Sequence, residues 1–230
     1  MQLDFPAADR SLHPTTPWTW ALSTSKRFLI LSWILATSLL ILAAFVINPS
    51  VEAQELVLIK RLRSIDSAQL QGLMLAMHWI QTPLLVLVAL VALAFPVVRR
   101  QWRLVGESAA LLIGAAPLNF TLKTAFHRTR PALEPLVSAH GFGFPSGHTL
   151  SAAIVVGWAL CMTLRSSLAW SLRLCLGFAL MGIVALVGLS RMYLGAHYFS
   201  DIVASCIVSA CWISLCLAYC DTLRSRSSSA

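Results

Sequence analysis

In this 230-residue chain, histidines, arginines and one aspartate stand where long apolar runs end. Residues 190–201 read SRMYLGAHYFSD and carry Arg191, His197 and Asp201 between two such runs. Ionisable groups are expensive at membrane depth, and beside apolar spans they mark sites more often than scaffold. If the second run starts near His197, then His197 and Asp201 lie four apart on one helix face. A carboxylate that accepts from one imidazole nitrogen fixes the tautomer and leaves the other nitrogen free as base or nucleophile. Arg191, just before, can clamp an anion.

Two further segments supply the remaining parts. Residues 123–131, KTAFHRTRP, end an apolar run with Lys123 and Arg130. Residues 143–149, GFPSGHT, open another run, so backbone N–H groups near Ser146 and Gly147 emerge from a helix N-terminus. That is an anion site, with His148 beside it as the first helical histidine. The set fits a double displacement at phosphorus. His197 attacks and becomes phosphohistidine, while Asp201 orients it. Lys123, Arg130 and Arg191 neutralise the phosphoryl oxygens, and His148 protonates the leaving oxygen and then activates water. No carboxylate cluster remains to hold Mg²⁺, so the expectation is a site without metal or cofactor.

These residues must be positioned by membrane-spanning elements. The chain is 58% hydrophobic and 11% charged, with a mean hydropathy of +0.77. That composition excludes an ordinary soluble domain and a disordered chain. The net charge of +8 fits cytoplasmic loops better than nucleic acid, because no basic stripe is interleaved with aromatics. The six cysteines lie in or at the ends of apolar runs without a CxxC pair, and read as packing residues.

Six spans are expected, near 28–47, 73–98, 104–126, 148–164, 172–189 and 197–219, giving an all-α, six-transmembrane-helix bundle. Residues 1–25 read as a cytoplasmic N-terminal segment without signal-peptide features, 26–220 as the membrane domain and 221–230 as a disordered cytoplasmic tail. Trp18 and Trp20 are placed at the interface. Residues 48–72 alternate charged and apolar side chains. They predict a short amphipathic helix at the interface, read as a surface connector rather than a gate. Pro83 is a candidate kink, His78 a structural hydrogen-bond donor, and Glu107 a partner for Arg103 four residues earlier. Ten of the seventeen lysines and arginines fall on the face with the termini. The expected topology therefore has cytoplasmic termini in an inner or plasma membrane and the site facing the periplasm or exterior.

K-x6-R-P at 123–131, P-S-G-H at 145–148 and S-R-x5-H-x3-D at 190–201 resemble the three signature motifs of the type 2 phosphatidic acid phosphatase (PAP2) superfamily. All are complete and in order. The resemblance implies the same roles: His197 as nucleophile, His148 as acid and base, Asp201 as orienter. Lys123, Arg130, Ser146, Gly147 and Arg191 become phosphate ligands, in a metal-independent reaction. Arg128 lies outside the pattern and reads as a loop or headgroup contact. The loop from Pro131 to Pro145, with Glu134 and His140, is too short for a separate headgroup-recognition subdomain.

A site at the membrane boundary suggests a lipid phosphate, with undecaprenyl diphosphate, phosphatidylglycerophosphate and phosphatidic acid as candidates by resemblance. The expected partners are this substrate and membrane lipids. Three alternatives share the motifs. A vanadate-holding haloperoxidase conflicts with the apolar composition. A lipid phosphotransferase would use the same phosphohistidine. A non-catalytic lipid-phosphate binder would be expected to lack a motif histidine, and both are present.

Overall fold

A computed structural model describes residues 24–65 and 67–228, with side chains through residue 222. The segment 1–23, where the N-terminal expectations fall, lies outside the described residues. The described residues form seven helices and no strands: α1 (Thr24–Val46), α2 (Pro49–Arg63), α3 (Ala68–Val98), α4 (Trp102–Phe126), α5 (Gly147–Arg165), α6 (Trp170–Tyr193) and α7 (Phe199–Ser228). All but α2 are long and apolar enough to cross a membrane. Their outer surfaces stay apolar, with Trp33, Leu90, Phe120 and Phe178 among the exposed side chains. Such an exterior suits lipid, where backbone groups must be satisfied within the helices.

Helix α5 is the central post, packed by α3, α4, α6 and α7, while α1 lies along α7. Met77, Leu85, Ala152, Val156, Val184 and Val187 join α3, α5 and α6. Leu111, Leu150, Ile154, Trp158, Val208 and Ile213 join α4, α5 and α7. Small polar residues draw α7 onto α5. Ser205 Oγ shares its proton between the Asp201 carbonyl of its own helix and that of Ser146, and Ser209 Oγ between those of Ser205 and Leu150, the close polar packing typical of membrane helices. These contacts set the N-termini of α5 and α7 side by side.

The amphipathic segment forms a helix shorter than its polar run, and it is not a surface connector. Asn48 accepts from Ser50 N, Pro49 occupies the first turn, and Lys60, Arg61 and Arg63 occupy the last. Val51, Glu55 and Ile59, spaced by four, form one face and are all buried. Ile59 packs with Met192 and Tyr198, so α2 docks on the turn between α6 and α7.

Several boundaries differ from expectation, among them the end of α6, which runs to Tyr193 rather than 189. Ser67 accepts from Leu70 N, and this cap starts α3 at Ala68 rather than near residue 73. Pro83 and Pro96 lie inside the continuous α3. Helix α7 runs on to Ser228, where a disordered tail was expected, because no glycine or proline interrupts residues 221–228. It also starts at Phe199, two residues after His197, so His197 belongs to the preceding turn.

Candidate active site

All eight residues singled out from sequence gather at one end of the bundle, where α4 and α6 finish and α5 and α7 begin. His197 is buried there, 2% exposed, and Asp201 is fully buried. His197 Nδ1 stands 2.8 Å from the Gly143 carbonyl and 3.5 Å from Asp201 Oδ2. A carbonyl only accepts, so Nδ1 carries the proton. On the other side, Arg130 Nη1 lies 3.2 Å from Nε2. A guanidinium only donates, so Nε2 is the unprotonated nitrogen. The imidazole is therefore oriented first by a backbone carbonyl and second by the expected carboxylate. Burial holds the His197 pKa below the ordinary histidine value, Asp201 pushes it back up, and Arg130 and Lys123 push it down.

The cations around His197 lean on neutral acceptors. Arg130 donates to the carbonyls of His140 (2.8 Å), Gly141 (3.0 Å) and Ala196 (2.7 Å). Burial lowers its pKa, against the pull of Asp201. Lys123 Nζ donates to the Phe142 carbonyl. Arg191 is 1% exposed; its Nη1 lies 2.9 Å from His78 Nδ1, and its buried Nη2 has no hydrogen-bond partner among the described residues. Among the described residues no carboxylate lies within ion-pair distance of Lys123, Arg130 or Arg191.

His148 is exposed and within electrostatic range of Arg191, His197, His78 and Arg130. Ser146 precedes α5 in an extended conformation, and no side chain caps that helix's first turn. The buried Ser146 hydroxyl accepts from Thr149 Oγ1 at 3.1 Å, which leaves its own O–H as a donor beside the backbone N–H groups of the first turn. A Cβ on Gly147 would sit 3.0 Å from the Asn119 amide.

One sequence expectation is corrected. Arg128 is not a headgroup contact. Its side chain is 10% exposed, with Nη1 2.6 Å from Asp201 Oδ1 and Nη2 2.8 Å from Glu55 Oε2. Burial opposes its charge, but Asp201 and Glu55 raise its pKa above the ordinary arginine value. His78 Nδ1 accepts from the Arg191 guanidinium, which leaves Nε2 to carry the proton. Sequence reasoning also missed Glu55, Asn119 and the Gly143 carbonyl. For Glu55 the signal was present, since a carboxylate between Val51 and Ile59 at helical spacing falls on the apolar face.

The fold is shared with solved structures. A transmembrane PAP2-type phosphatidylglycerolphosphate phosphatase from Bacillus subtilis superposes with a TM-score of 0.71 at 24% identity, covering 82% of this chain and 94% of that one. LpxE from Aquifex aeolicus superposes with a TM-score of 0.52 at 19% identity, covering 74% and 94%. By sequence, the chain is 37% identical over 86 residues to phosphatidylglycerophosphatase B of Bacillus subtilis (strain 168). That match takes in 37% of this chain and 42% of the relative, so it spans about two-fifths of the relative's length. The PAP2 superfamily model matches residues 104–225, which hold all three motifs, and the chain belongs to the PAP2 superfamily.

Proposed function

We propose that this protein is a lipid phosphatase that hydrolyses a membrane lipid phosphate or diphosphate through a phosphohistidine. The observation that carries the reading is the positive charge without a paired carboxylate at this end of the bundle, above all the buried Arg191, whose Nη2 has no partner among the described residues. A buried cation without a counter-ion is costly and suits a site whose ligand brings the negative charge.

His197 Nε2 attacks phosphorus as the bond to the lipid oxygen breaks, and His148 gives that oxygen its proton. Water then attacks the phosphohistidine, His148 takes its proton, and phosphate leaves with His197 restored. Gly143 and Asp201 hold the Nδ1 proton throughout. Lys123, Arg130, Arg191 and the N–H groups after Ser146 stabilise the charge on the transferred group.

The names of the relatives put phosphatidylglycerophosphate first among substrates, ahead of undecaprenyl diphosphate and phosphatidic acid. The lipid enters between helices, its phosphate meeting the cations at the outer face, with the termini cytoplasmic.

The test is inorganic phosphate release by the detergent-purified protein in EDTA, from these three lipids and a water-soluble phosphate ester. Lipid hydrolysis insensitive to EDTA and abolished in His197→Ala is expected. Retained activity in His197→Ala would sink the nucleophile assignment. Phosphate moved onto an acceptor lipid instead of water would replace hydrolysis with transfer.

A further inference from the structure

Arg128 reaches both groups that hold His197. Its backbone carbonyl accepts from Gly143 N at 2.8 Å, fixing the residue whose own carbonyl accepts from His197 Nδ1. Its guanidinium grips Asp201 Oδ1 at 2.6 Å and Ser200 Oγ at 2.6 Å, and lies over the Tyr198 ring, 4.5 Å from the centroid. Beyond it stands Glu55 on α2. One Glu55 oxygen accepts from Ser200 N at 2.6 Å, at the start of α7; the other accepts from Ser200 Oγ at 2.9 Å and from Arg128. A neighbouring helix thus provides an acid cap for the helix that bears Asp201. Glu52, one turn earlier, accepts from the Tyr198 hydroxyl at 2.7 Å.

We infer that Glu55 and Arg128 are positioning residues that set the place and effective charge of Asp201, which makes the amphipathic helix α2 part of the catalytic assembly. The inference rests on the phosphatase reading above. Arg128 withdraws part of the Asp201 charge from His197, and Glu55 withdraws part of the Arg128 charge from Asp201. The pair are therefore opposing controls on one imidazole. The other groups facing His197 are Arg130 from the loop before α5 and Lys123 from α4, with His148 of α5 also in range.

Opposing signs give a test that a packing role does not mimic. Glu55→Gln keeps the shape and removes the anion, so Arg128 neutralises Asp201 more fully and the His197 pKa falls. Arg128→Gln frees the Asp201 charge, so the His197 pKa rises. Each shift is expected to be less than about one pH unit, because a charge in direct range moves a pKa by about 1–3 units and these two act on His197 only through Asp201. Arg128→Lys keeps the cation and is expected to stay nearer wild type. The readouts are the acid limb of kcat/KM against pH and NMR titration of ¹⁵N-labelled histidines, with the His197 signal assigned by its loss in His197→Ala.

Loosened packing alone admits water and relieves burial, moving both Gln variants upward towards the ordinary value. Shifts in the same direction, or no shift, overturn the proposal. If Arg128→Gln does not fold, the sign in Glu55→Gln decides alone. If the wild-type protein releases no phosphate from any lipid, the phosphatase reading fails, while the titration still reports on the pair.

Discussion

Arg128 and Arg130 sit two residues apart on one loop and have opposite surroundings. Arg128 is matched by Glu55 and Asp201 at 2.8 and 2.6 Å. Arg130 spends its donors on three backbone carbonyls and one imidazole nitrogen. Both are largely removed from water, so the difference lies in what each still lacks. A matched guanidinium is finished in the empty protein and serves the architecture. An unmatched one stays ready for an anion that arrives later. Arg191, with a partnerless Nη2, is the extreme of the second kind.

The sharpest way to break this comparison is to neutralise each arginine and ask what is lost. Arg130→Gln is expected to cut kcat/KM by roughly 100- to 1,000-fold, the usual effect of deleting one preorganised donor, with little change in melting temperature. Arg128→Gln strands two buried carboxylates and is expected to destabilise the fold by about 3–5 kcal/mol. Arg191→Met removes an uncompensated buried cation and is expected to raise the ligand-free melting temperature while abolishing phosphate binding. A thermal scan with lipid hydrolysis on the same samples checks all three. If Arg128→Gln and Arg130→Gln lose stability equally, the division between finished and waiting cations fails.

Inorganic phosphate sharpens the same division without touching the chain. At about a hundred times its dissociation constant it is expected to add ~2.7 kcal/mol of stability to the wild-type protein. The gain should vanish in Arg130→Gln and Arg191→Met. A gain that survives in both places the anion elsewhere.

The acid limb of the reaction follows from the His197 surroundings. Only the neutral imidazole attacks, and burial holds its pKa below the ordinary value near 6.5. The rate of kcat/KM should therefore persist as pH falls through 6.5 and decline only at the lowered pKa. A limb at or above 6.5 would mean that Asp201 outweighs burial.

Much of the waiting half was legible in the sequence, and little of the finished half. Lys123, Arg130, His148, Arg191 and His197 stand at span ends, where an ionisable group has few structural uses, so residue type and position sufficed. Arg128 stands outside the motif, and its partner Glu55 lies 73 positions away. Only the docking of α2 brings them together. The spans were readable because apolar length alone selects them, whereas the start of α7 was misplaced by two residues. Hydropathy does not register where a turn ends. The Gly143 carbonyl carries no side-chain signal, so its place ahead of Asp201 at Nδ1 appears only in the folded backbone. Gly143→Ala tests that place. Its Cβ would come within 3.0 Å of the Thr129 carbonyl and 3.4 Å of Asp201 Oδ2. Shifting this peptide is expected to lower kcat ~10-fold with little change in KM.

The smallest expected effect concerns how α2 supports the turn that carries His197. Gly195 has φ +72°, and a Cβ there would lie 2.3 Å from Arg63 Nη2. Arg63, in the last turn of α2, donates from Nε to the Tyr193 carbonyl at 2.8 Å and from Nη1 to that of Glu134 at 3.0 Å. Gly195→Ala imposes a left-handed conformation on a residue with a Cβ, a penalty of about 1–2 kcal/mol, and pushes the guanidinium away. Gly195→Ala combined with Arg63→Ala removes the collision but keeps the backbone penalty. If the close approach matters, the double variant should melt higher than the sum of the two single losses predicts. Strict additivity would mean that Gly195 is required for its backbone angle alone, and that Arg63 steadies this turn only through the Tyr193 and Glu134 carbonyls.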